Sequence, residues 1–235
     1  MLCKIADLLA EVPEAGGMAP RCRDYLWEGK DCADVIIRTE HYRPEKYPHM
    51  NENDMAYMES ARIFYRELIN YNGFYLHASA VEVDGKAFLF SGHCGAGKST
   101  HTRLWKKRFG DCAYIINDDK PALRYLDGKW YAYGTPWCGK DGININRKAP
   151  LAGICYLVQA QENRIRRLTK EEAFSRVFRQ TIHKFADVQR LDILLMHINS
   201  LLDKIPVFEL ENRPEPEAAL LSYETMRHAA EEMGL

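Results

Sequence analysis

Apolar segments alternate with turn signals in the middle of the chain, a pattern typical of β-hairpins. Two pairs of apolar segments are each separated by an Asp-Gly dipeptide, which two-residue hairpin turns favour. The segments are 74–83 and Lys86–Ser91, around Asp84 and Gly85, and then Ala122–Leu126 and Lys129–Tyr133, around Asp127 and Gly128. Because a hairpin joins antiparallel strands, we expect a sheet that is partly antiparallel rather than purely parallel.

Other segments carry apolar residues every three or four positions, which is the spacing of one face of an α-helix. The first of these helices is expected to begin at Asp54 as its N-cap, to run to about Asn72 and to end at Gly73. Its predicted apolar face consists of Met58, Ala61, Tyr65 and Leu68. The remaining predicted helices are 99–109, a helix opened by the capping box of Thr169 and Glu172, 187–203 and 217–233.

Several further strands are predicted in the rest of the chain. Strands are predicted over 33–38, 113–119, 153–159 and 205–210, with a weaker candidate over 5–12. Pro44 and Pro48 mark a linker. We therefore predict an α/β fold with a mixed, partly antiparallel sheet and helices packed around it. The 235 residues are expected to form one domain, made of an N-terminal segment 1–50, a core 73–210 and a C-terminal helix 217–233.

The composition indicates a globular protein without general affinity for polyanions. Hydrophobic residues make up 46% of the chain, and 32 basic residues nearly balance 33 acidic ones, for a net charge of −1. Nucleic acid is therefore not an expected partner, and basic runs such as 105–108 and 164–167 are interpreted as solvated faces. No run approaches the ~18 apolar residues of a membrane span. Seven scattered cysteines without a C-x-x-C pair, and no leader-like N terminus, favour a cytoplasmic location.

The segment from Gly92 to Thr100 carries the strongest chemical signal. Its sequence, GHCGAGKST, is a complete G-x-x-x-x-G-K-[ST] motif between a predicted strand and a predicted helix, as a nucleotide-binding loop requires. Glycines let backbone N–H groups approach phosphate oxygens, and the helix directs its positive end to the same anion. The predicted nucleotide-binding residues are Gly92, His93, Cys94, Gly95, Ala96, Gly97, Lys98, Ser99 and Thr100.

Three side chains of this motif have individual interpretations. Lys98 is expected to reach the terminal phosphates, and the Ser99 hydroxyl is expected to ligate Mg²⁺. Cys94 is interpreted as a small residue that the loop tolerates, with a reactive thiol as the alternative.

Two adjacent carboxylates end the predicted strand over 113–119. Asp118 and Asp119 would repel each other unless a positive group lies between them, and Asp118 follows Lys98 by only twenty residues. Mg-nucleotide is therefore the expected partner of the pair. We assign Mg²⁺ to Ser99 and Asp119, and we expect Asp118 to accept the proton of a substrate hydroxyl. A solvated turn is the alternative, since Asn-Asp-Asp-Lys-Pro is also good turn composition.

These motifs resemble those of the HPr kinase/phosphorylase family and its relative, ATP-dependent phosphoenolpyruvate carboxykinase. The matching features are His77 in the Leu-His-Ala-Ser-Ala run at 76–80, the loop 92–100 and the pair of aspartates, with a looser match over 134–144. The resemblance covers about residues 73–210 and is greatest to short, HPr-kinase-like bacterial proteins. The long N-terminal domain and the C-terminal Pro-Gly-Arg-Asn signature of true HPr kinases are not recognised in the sequence.

The resemblance implies a kinase that transfers the γ-phosphoryl group of ATP, with Mg²⁺, to a hydroxyl of a small molecule or a peptide serine. It also implies that His77 lies near the transferred phosphate; a satisfied structural histidine is the alternative. Lys140 lies on a glycine-flanked loop, where a cation can stabilise charge on the moving phosphoryl group, or it is an ordinary exposed lysine. The loop 134–144, with three glycines and Trp137, is expected to close over a small acceptor.

Other activities are compatible with the same residues. They are an HPr-type protein serine kinase/phosphorylase, a carboxykinase, a phosphorolytic dephosphorylase that releases pyrophosphate, and a non-catalytic nucleotide-binding regulator. The presence of both Asp118 and Asp119 favours an enzyme. The acceptor, the nucleobase and the oligomeric state are open at this point, and a homo-oligomer is compatible with the sequence.

Overall fold

The chain folds into a mixed α/β arrangement in this computed structural model, which describes residues 1–15, 17–39, 48–185 and 187–235. Within these residues the strands are β1 Leu2–Ile5, β2 Leu8–Glu11, β3 Val35–Ile36, β4 Gly73–Tyr75, β5 Ala78–Val83, β6 Lys86–Ser91, β7 Ala113–Asp119, β8 Ala122–Leu126, β9 Lys129–Tyr133, β10 Lys148–Gln159, β11 Arg164–Arg167 and β12 Val207–Asn212. The helices are α1 Met18–Arg21, α2 Glu52–Leu68, α3 Lys98–Phe109, α4 Lys170–Arg179, α5 Val188–Lys204 and α6 Pro216–Glu232. None of the helices in the described residues is both long enough and apolar enough to cross a membrane.

A mixed sheet of nine of these strands organises the fold. Its main path runs β4-β8-β9-β10-β6-β5-β7, with β12 paired to β10 and β11 paired to β12. Strands β6, β10 and β12 are parallel, whereas β5 lies antiparallel between β6 and β7. Strands β6, β7, β10 and β12 therefore end at one edge of the sheet, and β5 begins there. The predicted mixed, partly antiparallel sheet is confirmed.

Side chains along each strand point alternately to the two faces of this sheet. Both faces are therefore apolar, and helices cover each of them. On β6, Phe88 and Phe90 belong to a core that also contains Trp105 of α3 and Met226 of α6. Leu89 belongs to the opposite core, which contains the buried residues of α4 and α5. The apolar side of α3 faces this first core, since Trp105 is fully buried and Leu104 and Phe109 pack beside it.

The N-terminal residues form a separate three-stranded sheet, in which β1 and β2 are antiparallel and β3 pairs parallel to β2. The weak strand candidate over 5–12 is confirmed in its second part as β2, Leu8–Glu11, whereas the chain turns at Ala6 and Asp7, whose φ angles are 51° and 58°. The strand predicted over 33–38 is reduced to the two residues of β3. This small sheet shares a third core with α2 and with Trp137.

Helix α2 begins earlier than predicted. Asn51, not Asp54, is its N-cap, because the Asn51 side chain accepts a hydrogen bond of 2.8 Å from the Asp54 backbone N–H. Met58 is 45% exposed, so it is not part of the apolar face, which consists of buried residues that include Ala61, Tyr65 and Leu68. Pro44 of the predicted linker lies outside the described residues.

The single strand predicted over 74–83 is interrupted at Leu76 and His77. Strand β4 pairs with β8, whereas β5 pairs with β6 and β7, so the chain changes partners between the two strands. At this break the His77 backbone N–H donates to the carbonyl of Gln180 at 2.8 Å instead of to a neighbouring strand. The side chain of His77 is thus placed at the edge of the sheet where β6 and β7 end.

Most of the turns, caps and strands that were predicted from local sequence elsewhere in the chain are confirmed. Both Asp-Gly hairpins form, with positive φ at Asp84, Gly85, Asp127 and Gly128. The capping box of Thr169 and Glu172 opens α4. The basic run at 164–167, interpreted only as a solvated face, is the mostly exposed edge strand β11. The strands predicted over 153–159 and 205–210 have shifted boundaries, as β10 and β12.

Candidate functional site

The glycine-rich loop, residues 92–97, connects the end of β6 to the N terminus of α3. A Cβ atom on Gly92 would lie 2.9 Å from Ala96 Cβ and 3.0 Å from the Leu157 carbonyl oxygen, so no side chain fits there. Gly97, the N-cap of α3, has a φ of 95°, which glycine adopts without steric cost. The loop therefore packs against β10 at one end, and it presents the free N–H groups of the helix at the other.

Lys98 is the first residue of α3, and its side chain folds back over the loop. Its ammonium nitrogen donates to the Gly92 and His93 carbonyl oxygens, at 3.1 Å in each case. Burial lowers the pKa of Lys98, and the carboxylates of Asp119 and Asp118 partly offset this effect. A flexible cation above a ring of backbone N–H groups can bind an anion such as phosphate.

Ser99 and Asp118 connect α3 to the end of β7. The Ser99 hydroxyl donates to Asp118 Oδ1 at 2.9 Å, and Asp118 is only 5% exposed. The backbone of Asp118 is held by the segment that follows β9, since its N–H donates to the Ile143 carbonyl at 3.0 Å. The hydroxyl and the carboxylate form a pair of hard oxygen ligands beside the anion-binding loop.

Asp119 and His77 form a second pair at the same edge. His77 Nε2 lies 2.8 Å from Asp119 Oδ1, and the other ring nitrogen, Nδ1, lies 3.1 Å from Gln180 Oε1. Lys120 also forms an ion pair with Asp119. Burial alone would raise the pKa of Asp119, but the hydrogen bond from His77 and the charge of Lys120 outweigh it and hold that pKa well below its usual value.

The backbone of Asp119 is unusual for a non-glycine residue. Its φ is 98°, in a region that residues with a Cβ rarely adopt. The two adjacent side chains have different partners: Asp118 contacts Ser99, whereas Asp119 contacts His77 and Lys120. Outliers of this kind are concentrated at functional sites, where the surrounding contacts maintain them.

The loop 134–144 lies directly beside Asp118, but its first half is anchored. Trp137 is fully buried, and its indole N–H donates to Ser60 Oγ at 3.0 Å. Cys138 exchanges hydrogen bonds of 2.7 and 2.8 Å with the Tyr57 hydroxyl. These contacts hold residues 134–138 to α2, and closure of the loop over an acceptor stays a prediction.

The second half of that loop carries Lys140, which is exposed. A Cβ atom on the preceding Gly139 would lie 3.4 Å from Asp118 Oδ2, so the backbone passes close to this carboxylate. Asp141 forms an ion pair with Arg103 of α3, which ties the tip of the loop to the helix. Lys140 directly follows Gly139, so it is close to the candidate site in the sequence. It forms no ion pair with any other residue that the structure describes.

Sequence reasoning identified the loop, both aspartates and His77 as candidates, but it missed the residues that position them. Gln180 follows α4, a hundred residues from His77, and has no motif of its own. Tyr57 and Arg21 reach the loop 134–144 from α2 and α1, where the guanidinium of Arg21 lies 4.6 Å from the ring centre of Tyr57. These contacts join segments that are far apart in the sequence, so they could not be predicted without knowing which segments meet in the fold.

A metal ion at this site would need ligands from outside the chain. Among the described residues, no group of three or more His, Cys, Asp or Glu side chains could hold a metal ion. Ser99 and the aspartates fit Mg²⁺ in particular, because this ion is commonly bound by one or two carboxylates together with phosphate and water oxygens.

Comparisons with known proteins place the chain in a family. The profile described as SynChlorMet cassette protein ScmC matches residues 46–212, and the chain belongs to this family. No curated protein matches the sequence. Among solved structures, the Hpr(Ser) kinase/phosphatase from Coxiella burnetii is similar at 13% sequence identity, over 68% of this chain and 92% of that chain, with a TM-score of 0.41.

Proposed function

We propose that this protein is an ATP-dependent kinase that transfers the γ-phosphoryl group to a hydroxyl of a small molecule or a peptide serine. The observation that carries the proposal is the hydrogen bond of 2.9 Å between Ser99 and Asp118, directly beside Lys98 and the glycine-rich loop. Phosphoryl transfer depends mainly on positioning and on neutralising charge, and these residues can do both.

The loop and α3 are proposed to bind the triphosphate. Backbone N–H groups of residues 92–97 and of the first turn of α3 would contact phosphate oxygens. On binding, the Lys98 ammonium would exchange its two loop carbonyls for β- and γ-phosphate oxygens, which are stronger partners because they are charged. Mg²⁺ would neutralise negative charge on these phosphates.

The geometry favours exchanging the roles that the sequence assigned to the two aspartates. Ser99 is hydrogen-bonded to Asp118, so these two oxygens are the pair best placed to hold Mg²⁺. Asp119 is held by His77 and Lys120, away from Ser99, and we propose that it accepts the proton of the acceptor hydroxyl. Its low pKa is compatible with this role, since the phosphoryl transition state is loose and the base mainly orients the nucleophile.

The acceptor oxygen forms a bond to the γ-phosphorus, the bond between that phosphorus and the β–γ bridging oxygen breaks, and ADP leaves. The hydroxyl proton passes to Asp119, and Lys98 stabilises the charge that develops on the leaving phosphate. Lys140 is exposed on the adjacent loop and remains our candidate for a second cation near the transferred group.

The acceptor is proposed to approach over Tyr57. The ring of Tyr57 has the Arg21 guanidinium at 4.6 Å and the Lys120 ammonium at 5.9 Å from its centre, and Lys120 contacts Asp119. An acceptor with an anionic group beside its hydroxyl would suit these two cations. A peptide serine next to a carboxylate, or a small hydroxy acid, has this chemistry.

The test is a transfer assay with γ-labelled ATP and Mg²⁺ against a panel of serine peptides, hydroxy acids, sugars, polyols and a folded HPr-like protein. We expect label in a peptide or small molecule with the unaltered protein, and none with Lys98→Ala. Equally fast labelling of the HPr-like protein would restore the HPr-type assignment. Tight Mg-ATP binding without transfer to any acceptor would support a non-catalytic regulator instead.

A further inference from the structure

Specific hydrogen bonds hold the backbone on both sides of Asp119. The Asp118 carbonyl, in the preceding peptide group, accepts from the Gly139 N–H at 2.5 Å. The Lys120 N–H, in the following peptide group, donates to Asn117 Oδ1 at 2.7 Å. The φ of 98° at Asp119 therefore lies between two fixed peptide groups, and surrounding contacts of this kind are what maintain an unfavourable backbone conformation.

Two buried hydroxyls hold the next peptide group. The Lys120 carbonyl accepts from the Tyr65 hydroxyl at 2.5 Å, and Thr135 Oγ1 lies 3.0 Å from the same oxygen. Tyr65 belongs to α2 and is 2% exposed, and Thr135 is fully buried in the segment after β9. Because the N–H and the carbonyl of Lys120 are both fixed, the direction in which its side chain leaves the backbone is fixed as well.

Asn117 connects this backbone to the loop 134–144. It lies in β7 and is fully buried. Its Nδ2 donates to the Thr135 and Trp137 carbonyls at 3.1 and 3.0 Å, while its Oδ1 accepts from the Lys120 N–H. The two carbonyls need a donor and the N–H needs an acceptor, and a side-chain amide in this orientation satisfies all three.

The side chains on this backbone are charged groups of the proposed transfer site. Asp119 is the proposed proton acceptor, and its Oδ1 lies 2.8 Å from His77 Nε2. Lys120 forms an ion pair with Asp119, and its ammonium lies 5.9 Å from the ring centre of Tyr57, where the acceptor is proposed to approach. Any shift of this backbone would therefore move the base and a cation together.

We propose that Tyr65 is a positioning residue for phosphoryl transfer, because its hydroxyl holds the backbone that carries the Asp119 carboxylate and the Lys120 ammonium. The inference rests on the kinase function proposed above, and it adds to that site a residue that acts through Lys120. Among the described residues, no hydrogen bond joins the Tyr65 side chain to the glycine-rich loop or to α3. Its loss should therefore affect the transfer step rather than the binding of Mg-ATP.

The first test compares Tyr65→Phe with the parent protein in the labelled-ATP assay. This change removes only the hydroxyl and keeps the ring, which packs against Phe64 and Trp137. We expect turnover to fall by about tenfold or more at an unchanged KM for Mg-ATP, because small displacements of reacting groups lower the rate steeply. A raised KM at unchanged turnover would overturn the inference.

Tyr71→Phe is the matched control for this variant. The Tyr71 hydroxyl also donates to a backbone carbonyl, that of Asp34 at 2.7 Å, and its ring packs against the same core as Tyr65. The control should keep the turnover of the parent protein. Equal turnover in the two variants, whether high or low, would overturn the inference.

Thr135 gives a second pair of variants. Thr135→Val removes the hydroxyl beside the Lys120 carbonyl at nearly the same volume, whereas Thr135→Ser keeps it. We expect the valine variant to lose turnover and the serine variant to retain most of it. A serine variant as slow as the valine variant would contradict the role of the hydroxyls, and if the valine variant fails to fold, the Tyr65 and Tyr71 pair decides.

A readout that needs no transfer activity separates this inference from the kinase proposal. His77 contacts Asp119 directly, so a displaced carboxylate should change the surroundings of the imidazole. Tyr65→Phe should move the His77 imidazole signals in NMR spectra, and Tyr71→Phe should not. If these signals move but the unaltered protein phosphorylates no acceptor, the kinase proposal fails and the hold on Asp119 stands. If the unaltered protein transfers phosphate and Tyr65→Phe changes neither turnover nor the signals, only this inference is overturned.

Discussion

At the scale of single residues, the charge of Lys98 should affect binding rather than folding. Its ammonium contacts only two loop carbonyls, so Lys98→Ala should leave the stability nearly unchanged. It should weaken Mg-ATP binding by about ten- to a hundredfold, the worth of hydrogen bonds to a charged group. Calorimetric titration measures the affinity, and thermal unfolding measures the stability.

Lys107→Ala is the matched control for this prediction, because Lys107 lies on the same helix and is exposed. It should bind Mg-ATP like the parent protein. Equal affinity in Lys98→Ala and Lys107→Ala would remove the case for a nucleotide-binding loop.

The two aspartates should respond differently to the same substitution. Asp118→Asn should chiefly weaken Mg²⁺-dependent nucleotide binding, because its carboxylate is the one beside Ser99. Asp119→Asn should bind Mg-ATP nearly normally and should lower turnover by ~10²–10⁴-fold, the usual worth of a general base. Binding is followed by titration with and without Mg²⁺, and turnover by the labelled-ATP assay. The reverse pattern would return the metal to Asp119, as the sequence suggested.

Residue identities revealed much of the candidate site, because its chemistry is concentrated in two short runs. The loop 92–100 and the pair Asp118–Asp119 could be recognised from short sequence motifs alone. Which carboxylate contacts Ser99 could not be predicted, since it depends on how the end of β7 packs beside α3.

At the scale of elements, the junction of β6 and α3 should be sensitive to a single methyl group. Gly92 and Gly95 both have positive φ, at 152° and 80°. A Cβ on Gly92 would meet Ala96 and the Leu157 carbonyl, whereas a Cβ on Gly95 would meet nothing within 4 Å. Gly92→Ala should therefore reduce the free energy of unfolding by about 3 kcal/mol, and Gly95→Ala by about 1 kcal/mol. Urea unfolding of both variants measures this, and equal losses would contradict the close approach of the loop to β10.

The contact between the C-terminal end of α4 and His77 should matter for turnover. Gln180→Ala removes the side-chain contact of 3.1 Å to His77 Nδ1 but keeps the backbone hydrogen bond of 2.8 Å to the His77 N–H. We expect turnover to fall by about ten- to a hundredfold with an unchanged affinity for Mg-ATP, because a positioning contact is lost. The imidazole signals of His77 in NMR spectra should shift as well.

Arg179→Ala, at an exposed neighbouring position, is the control for the Gln180 variant. It should keep both the turnover and the His77 signals of the parent protein. If Gln180→Ala behaves like this control, His77 is positioned by Asp119 alone.

Elements with local signals were predictable, and those defined by distant partners were not. The Asp-Gly turns and the capping box of α4 depend on neighbouring residues, so their sequences were sufficient. The break between β4 and β5 exists because the two strands have different partners, and nothing at Leu76 and His77 marks it. The edge strand β11 was hidden by its charged side chains, which face solvent while its backbone pairs with β12.

At the scale of the whole molecule, the candidate site depends on more of the chain than the motif-bearing core 73–210. Tyr57 of α2 holds Cys138, and the core around Trp137 includes residues of β1, β2 and β3. The family match begins at residue 46, so it includes α2 but not the N-terminal sheet. The contribution of the N-terminal sheet could not be predicted, because its apolar residues share a core with Phe64 of α2 and with Trp137, which are distant from it in the sequence.

The parallel pairing of β6 with β10 and of β10 with β12 also has a consequence for synthesis on the ribosome. Leu89 pairs with Ile154, and Ile154 pairs with Val207, so the strand before the glycine-rich loop emerges well before both of its parallel neighbours. Contacts this distant along the chain form late, and translation at about 5–20 residues per second leaves the unfinished sheet exposed for several seconds. Stalled nascent chains should therefore bind nucleotide only when they are long enough to release residue 212, and binding by chains stalled before β10 would contradict this order of assembly. Phe88 and Phe90 also lack the covering of α6, which is synthesised after residue 212, so the unfinished protein exposes apolar surface that chaperones bind.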